Sequence, residues 1–370
     1  MERIVKERYR YTPLGTLRER LGGDAGTFHS ALAELDIEAS NCLCRKNAVA
    51  AADLTAALQT QTEILAGDPL VADNLATEDR LTQGLQIEIP DNYRAEGVLY
   101  VHVRYPEQGA QHGTKYVQRF TIRAGRNAQV RIALYHHPVP ATEAALQTVI
   151  NSLTLIDAAD GAQVELIEVA ESRATYLSSS VCRQHNDSNV KVTTIDLDNA
   201  YLRRNQFIAL EQQGAECTLE GIYITDGEQH CDNYIRMHHA VPHCTSHQLF
   251  KGVAEGASHA AFTGHVYVAP GAQQTVALQE NHNIVLTDQA RIDTRPQLEI
   301  YADDVKCNHG ATIGRLDPEA IYYMRQRGIS IEAAKRLQIE GFIDEIIDRS
   351  HIDELSHLLR EKVSKRLQNS

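Results

Sequence analysis

Two residues near the end of the chain have the types and spacing for metal chemistry. Cys307 and His309 stand two apart, just after the strand-like run Leu298–Tyr301. In an extended segment such residues share a face, with Cα atoms about 6.5–7 Å apart. A thiolate and an imidazole so placed can touch one metal centre without touching each other. Iron–sulfur clusters usually take four protein ligands, mostly thiolates. Two donors are therefore half a site, and a partner chain would have to supply the rest. The competing reading is a buried structural cysteine beside a surface histidine. A second group is His239, His243 and Cys244. It lies in a stretch holding eight of the seventeen histidines: His230, His238, His239, His243, His247, His259, His265 and His282. Imidazole and thiolate are ligands of zinc, iron and copper. The spacing of His239, His243 and His247 would align them on a helix, but Pro242 breaks such a helix and the flanks read as strands. Histidines bonded to hydroxyls or carbonyls on a solenoid face are the alternative there. Asp303 and Asp304 read as a solvated turn, because neighbours in a strand face opposite sides.

Other chemistries lack their residues. The chain has no glycine-rich dinucleotide fingerprint, phosphate loop, Gly-x-Ser-x-Gly elbow or His-Glu-x-x-His. Across 370 residues, 36 Lys and Arg face 49 Asp and Glu, a net charge of −13. That balance argues against nucleic acid, whose phosphates need a basic surface. Tryptophan is absent and aromatics are 6 %, so a base-stacking platform is a poor fit. No window of eighteen apolar residues exists to span a membrane. The charged stretch from Met1 to Tyr11 lacks the apolar run of a secretory signal. Seven cysteines are odd in number and too sparse for a disulfide framework, so a reducing, cytoplasmic compartment is expected.

Three zones must position these residues. Residues 1–85 read as several short helices, with apolar stripes at Ala31, Leu32 and Leu35 and at Leu54, Leu58, Ile64 and Leu65. Gly22, Gly23, Gly26 and Gly67-Asp68-Pro69 punctuate them. Residues 86–316 alternate apolar and polar residues in short runs, as strands with one buried face do. The inward sets are read as Val130, Ile132 and Leu134; Phe262, Val266 and Val268; Val276 and Leu278; Ile284 and Leu286; and Ile292, Leu298 and Ile300. Small-residue turns recur at Gly125, Gly161, Gly214, Gly256, Gly271, Gln289 and Gly310, at intervals of 36, 53, 42, 15, 18 and 21. Multiples of a unit of roughly eighteen predict a β-solenoid; a β-sandwich with hairpin turns is the other reading. Residues 317–370 read as helices. Asp317 and Pro318 start one and Gly328 ends it; Ser330 caps a second with the stripe Ile339, Phe342, Ile343, Ile346 and Ile347. Ile352, Leu355, Leu359 and Val363 make a last stripe.

The segment from Arg295 to Thr312, which contains Tyr301-Ala302-Asp303-Asp304-Val305-Lys306-Cys307-Asn308-His309-Gly310-Ala311-Thr312, resembles the SufB/SufD family of iron–sulfur cluster assembly proteins. So do Arg325-Gln326-Arg327-Gly328-Ile329, Asp232-Asn233-Tyr234, the run from His239 to Ser246, and Leu249-Phe250-Lys251-Gly252-Val253. The match is specific over about 230–330 and fainter over about 90–370, and it leaves the first 85 residues unassigned. SufB carries Glu-His-Glu-Ala-Thr in the terminal motif, so the SufD branch is the better match; Asn308 stands where most members have serine.

The resemblance implies a right-handed parallel β-helix flanked by N- and C-terminal helical regions. It implies a non-catalytic scaffold that pairs with SufB and docks the ATPase SufC through its C-terminal helices. Tyr323, Arg325, Arg327, Gly328 and Phe342 are the docking candidates by that analogy. Cys307 and His309 fall on the family's interface cysteine and histidine, where iron or a nascent cluster would be shared transiently with SufB. No permanently bound cofactor is implied. ATP-driven motion of SufC would pass through the helices and open the SufB–SufD seam. Two alternatives are a homodimeric metal-binding or structural β-helix protein, and a polysaccharide-acting β-helix enzyme.

Overall fold

A computed structural model describes residues 2–21, 28–38, 43–46, 49–58, 65, 67–106, 113–140, 147–349, 356–357, 360–361 and 363–365. The chain opens with helices α1 (Glu2–Arg8) and α2 (Leu14–Leu21), then strands β1 (Phe28–Ala31), β2 (Glu34–Glu38) and β3 (Leu43–Lys46). Helices α3 (Ala51–Leu58) and α4 (Pro69–Ala76) follow. The main run begins with β4 (Thr82–Ile89), β5 (Leu99–Arg104), β6 (Gly113–Ala124), β7 (Gln129–His136), β8 (Val149–Ala158) and β9 (Gln163–Ala170). It continues with β10 (Thr175–Gln184), β11 (Asn189–Leu197), β12 (Tyr201–Leu210), β13 (Glu216–Thr225) and β14 (His230–His239). β15 (Thr245–Ala254), β16 (His259–Val268), β17 (Thr275–Val285), β18 (Arg291–Ile300) and β19 (Val305–Gly314) complete it. Helices α5 (Pro318–Gln326) and α6 (Ile331–Asp348) come after.

From β4 onward the strands fall alternately into two sheets. Sheet A runs β18-β16-β14-β12-β10-β8-β6-β4-β3, and sheet B runs β19-β17-β15-β13-β11-β9-β7-β5-β2. Every pairing among β4–β19 is parallel, so the chain winds as a parallel β-solenoid of about seven turns. One coil takes from 26 residues, Val149 to Thr175, up to 35, Thr82 to Val117. The expected eighteen-residue unit is therefore not the coil. Glycine marks two different corners, which confounds the interval. Gly161 and Gly214 lie between a sheet A strand and the next sheet B strand, whereas Gly256 lies at the opposite corner. Gly310 is not a turn at all; it sits inside β19. At the first corner a left-handed residue stacks above another, coil by coil: Asn127, Gly161, Asp187, Gly214, His243 and Gln274 all have φ between 52° and 74°. Glycine takes that conformation without strain, and the others are the residues the remaining coils tolerate there.

Both faces of most strands are buried, not one. The outer face of sheet B offers Ala133, Tyr135, Ile167, Val169, Ile195, Leu197, Ile222, Ile224, Leu249 and Val253, and the Ile339, Ile343, Ile346 and Ile347 stripe of α6 covers them. Buried Val363 joins that cluster; Ile352, Leu355 and Leu359 lie outside the described residues. The outer face of sheet A is covered by the N-terminal segment. Leu54, Leu58, Leu65 and Val71 pack on Leu153, Leu155, Val181, Phe207 and Tyr234, while Tyr9, Leu17 and Leu70 pack on Val149, Leu177 and Tyr201. Fully buried polar contacts pin it: Tyr9 Oη donates to Asp68 at 2.7 Å, Asn205 Nδ2 to Tyr9 Oη at 2.8 Å, and Thr12 Oγ1 to Asp232, itself paired with Arg203, at 2.6 Å. This zone is not purely helical. Ala31 and Leu35 lie on β1 and β2, and Leu32 is exposed, so they form no helical stripe. Gly22, Gly23, Gly26 and Ile64 lie outside the described residues.

Candidate functional site

β19 is the last strand of sheet B; among the described residues it pairs only with β17. The register sets Cys307 beside Ala277 and His309 beside Gln279. In β17 the buried column is Thr275, Ala277, Gln279, Asn281 and Asn283, while Leu278 is 39 % exposed. On β17 the lumen-facing column is mostly polar, and the apolar Val276 and Leu278 face away from the lumen, the reverse of the sequence expectation. Cys307 and His309 thus continue the lumen-facing column, as expected from their shared parity. Cys307 is half-buried against the main core, and His309 is exposed.

Burial pushes the Cys307 thiol up, partly offset by a backbone hydrogen bond with Ala277. A metal must therefore displace a proton there, since only the thiolate is a ligand. An amide network braces β19 from below. Asn283 Nδ2 donates to the Thr312 carbonyl at 3.1 Å and to Asn281 Oδ1 at 2.7 Å, Tyr223 Oη donates to Asn283 Oδ1 at 2.5 Å, and Asn281 Nδ2 donates to Tyr223 Oη at 3.0 Å. Gln279 Nε2 donates to Gln248 Oε1 at 2.9 Å. The sequence reading missed these amides. Their signal was polar residues recurring at 279, 281 and 283, one parity apart from the apolar pair chosen.

The second group does not assemble into one site. His239 is fully buried; its Nε2 is 2.8 Å from Ser246 Oγ, and burial, with His238 adding to it, pushes its pKa down to about 3. Cys244 is buried too, its thiol donating to the Gln212 carbonyl at 3.3 Å, and burial pushes that thiol up. His243 is exposed and occupies a left-handed turn position at φ 61°. No group of three or more His, Cys, Asp or Glu that could hold a metal exists among the described residues.

The docking candidates divide into two sets. Asp317 caps α5 by accepting from Glu319 N at 2.9 Å, and Gly328 ends the turn at φ 87°. No side chain of α5 is buried; Tyr322 and Tyr323 are 64 % and 58 % exposed. The Arg327 guanidinium lies 4.6 Å from the Tyr323 ring centroid, and Arg325 is exposed. Phe342 instead faces the solenoid. Lys251 Nζ lies 4.9 Å from its ring centroid and donates to its carbonyl at 2.6 Å.

The fold and this site define a β-solenoid whose final coil carries a thiol and an imidazole beside a strand edge left unpaired among the described residues. The chain belongs to the SufBD core family of SUF-system iron–sulfur cluster assembly, whose family model matches residues 107–342. An iron–sulfur cluster assembly SufBD family protein of Synechocystis is 30 % identical over 261 residues, 67 % of this chain and 56 % of that protein. The iron–sulfur cluster assembly protein SufD of Escherichia coli is 34 % identical over 171 residues, 46 % of this chain and 40 % of that protein. SufD of Bacillus subtilis is 34 % identical over 119 residues, 32 % of this chain and 27 % of that protein. The chain spans about half the length, or less, of these relatives. No helix among the described residues is long and apolar enough to cross a membrane.

Proposed function

We propose that this chain is a non-catalytic scaffold subunit of the SUF machinery, acting in the cytoplasm. It pairs with SufB through the open coil of β18 and β19 and contributes Cys307 and His309 to iron or a nascent cluster held between the two proteins. The cluster is cargo, not a resident cofactor. The observation that carries this reading is the position of the donor pair: on the lumen-facing column of β19, a ten-residue terminal strand that pairs only with β17 among the described residues. Thiol and imidazole suit iron, and two donors ask for a partner to complete the set. The SufC ATPase docks on α5 and its following turn, through Tyr323, Arg325, Arg327 and Gly328. Phe342 braces α6 on sheet B, so motion of the docked ATPase reaches the solenoid through that helix. The family likeness and the exposed aromatic face of α5 support this.

Complementation in a strain lacking its own copy tests the reading. His309→Ala should fold, co-purify with SufB and SufC, and fail to restore iron–sulfur enzymes. Full restoration by that variant would remove His309 from cluster formation. Tyr323→Ala with Arg327→Ala should lose SufC while keeping SufB; unchanged SufC recovery would move the ATPase site elsewhere.

A further inference from the structure

We propose that Gln279 is a positioning residue for His309: its carboxamide oxygen accepts one ring N–H, which leaves the other ring nitrogen with its lone pair free for the metal. This rests on the donor-pair reading of the site. Gln248, Gln279 and His309 occupy one register column on three successive parallel strands, β15, β17 and β19. Adjacent strands lie about 4.8 Å apart, so side chains in one column meet along the stack, and stacked amides form ladders. The first rung is made, Gln279 Nε2 to Gln248 Oε1 at 2.9 Å. Both glutamines are fully buried, and Gln279 Oε1 and Gln248 Nε2 are left with no hydrogen-bond partner.

The two open ends of that ladder differ. Beyond Gln248 the column continues to Leu219, which offers no polar atom. Beyond Gln279 it continues to His309, the next group with an N–H to give. The orphaned acceptor and the imidazole donor are therefore chemical complements in register. The Gln279 carboxamide spans the lumen to Gly264 on sheet A, where a Cβ would strike it. Glutamine and histidine reach similar distances from the backbone, so the ring can lie over the amide. Histidine metal ligands commonly give their second ring N–H to such an acceptor, which sets the tautomer and the ring's aim.

Long-range proton–nitrogen NMR of the full, metal-free chain, labelled at the imidazole nitrogens, reads the tautomer directly. His309→Asn assigns the resonance by its loss. At a pH where the ring is neutral, the wild type and Gln279→Glu, which keeps a carbonyl acceptor, should show one tautomer. Gln279→Met, similar in length but without the acceptor, should show a mixture and bind ferrous iron about 10–100-fold less tightly in the assembled complex, as loss of such partners usually does. A mixture in the wild type overturns the proposal, whether or not the methionine variant folds. So does an unchanged tautomer in a Gln279→Met protein whose melting matches wild type. Complementation separates this from the reading beneath it. If His309→Ala restores cluster assembly, the donor pair falls; if it does not and the wild-type ring is mixed, only the role of Gln279 falls.

Discussion

Burial keeps two interior histidines neutral, and this makes the fold sensitive to acid. His136 sits in the lumen with Nδ1 2.7 Å from Tyr105 Oη. Burial pushes its pKa down to about 4, with the Arg204 and His137 charges adding to the effect and Glu168 opposing it. His239 is pushed down to about 3, again by burial first. In the unfolded chain each would titrate near pH 6.5. Between about pH 6.5 and 4 the unfolded state binds more protons, so stability rises with pH there. It is whole above that window and falls by about 1.4 kcal/mol per pH unit for each histidine as acid is added. His136→Gln should remove one of these protons. Urea midpoints measured across the window should show a shallower pH slope in the variant, and an unchanged slope would mean that another group carries the acid sensitivity. At this scale Cys307 and His309 could be found from the sequence because parity alone places them on one face. Gln279, Asn281 and Asn283 share a parity as well, but it reads outward, because a polar residue in a strand ordinarily signals solvent. Here amides pair with one another in the lumen at Gln248–Gln279 and Asn281–Asn283, so polar parity marked the inside.

Helix α6 is the element whose sequence pattern survived folding unchanged. Its stripe reads at 3.6-residue spacing because one face meets sheet B and the other meets water. The strands beneath were harder to read. Ile167, Val169, Ile195 and Leu197 face α6 while Val164, Leu166, Val190 and Val192 face the lumen, so alternation disappears where a helix covers the sheet. Fully burying an isoleucine is worth about 1.5–3 kcal/mol, which makes this stripe the main attachment of the helix. Its charged contacts add less, because Glu345, the partner of Lys251, is 47 % exposed. Ile346→Ala removes a side chain with no exposure and should cost about 2–5 kcal/mol. Hydrogen exchange should show that cost over 331–348, with the coils of β8–β15 still protected. Equal loss of protection in those coils would mean that helix and solenoid unfold as one unit.

The two ends of the solenoid are finished differently, and that difference carries the functional argument for the whole molecule. At the start, short antiparallel strands close the sheets: β3, four residues, on β4 and β2, five residues, on β5. Short edge strands protect a sheet from pairing with other chains. At the other end β18 and β19 present ten residues each with no further strand among the described residues. Pro296 removes one donor from β18, as suits an edge, but β19 has no proline. Ile300, Tyr301 and Ile313 are 39 %, 55 % and 50 % exposed in this coil. A long edge left bare among the described residues and flanked by exposed apolar residues is suited to another strand, and it lies beside Cys307 and His309, the proposed donors. The repeat in the sequence announced a solenoid but could not say which coil stays open, since that depends on what fails to pair. Ile313→Lys places a charge on that edge without touching the buried core. Its stability should stay within about 0.5 kcal/mol of wild type, as for most surface changes. Recovery of SufB on the tagged variant should fall steeply, while SufC, proposed to dock on α5, should be retained. Sedimentation of the variant alone should show any self-pairing weakened as well. Undiminished SufB recovery would place the partner on another face and detach the donor pair from the interface.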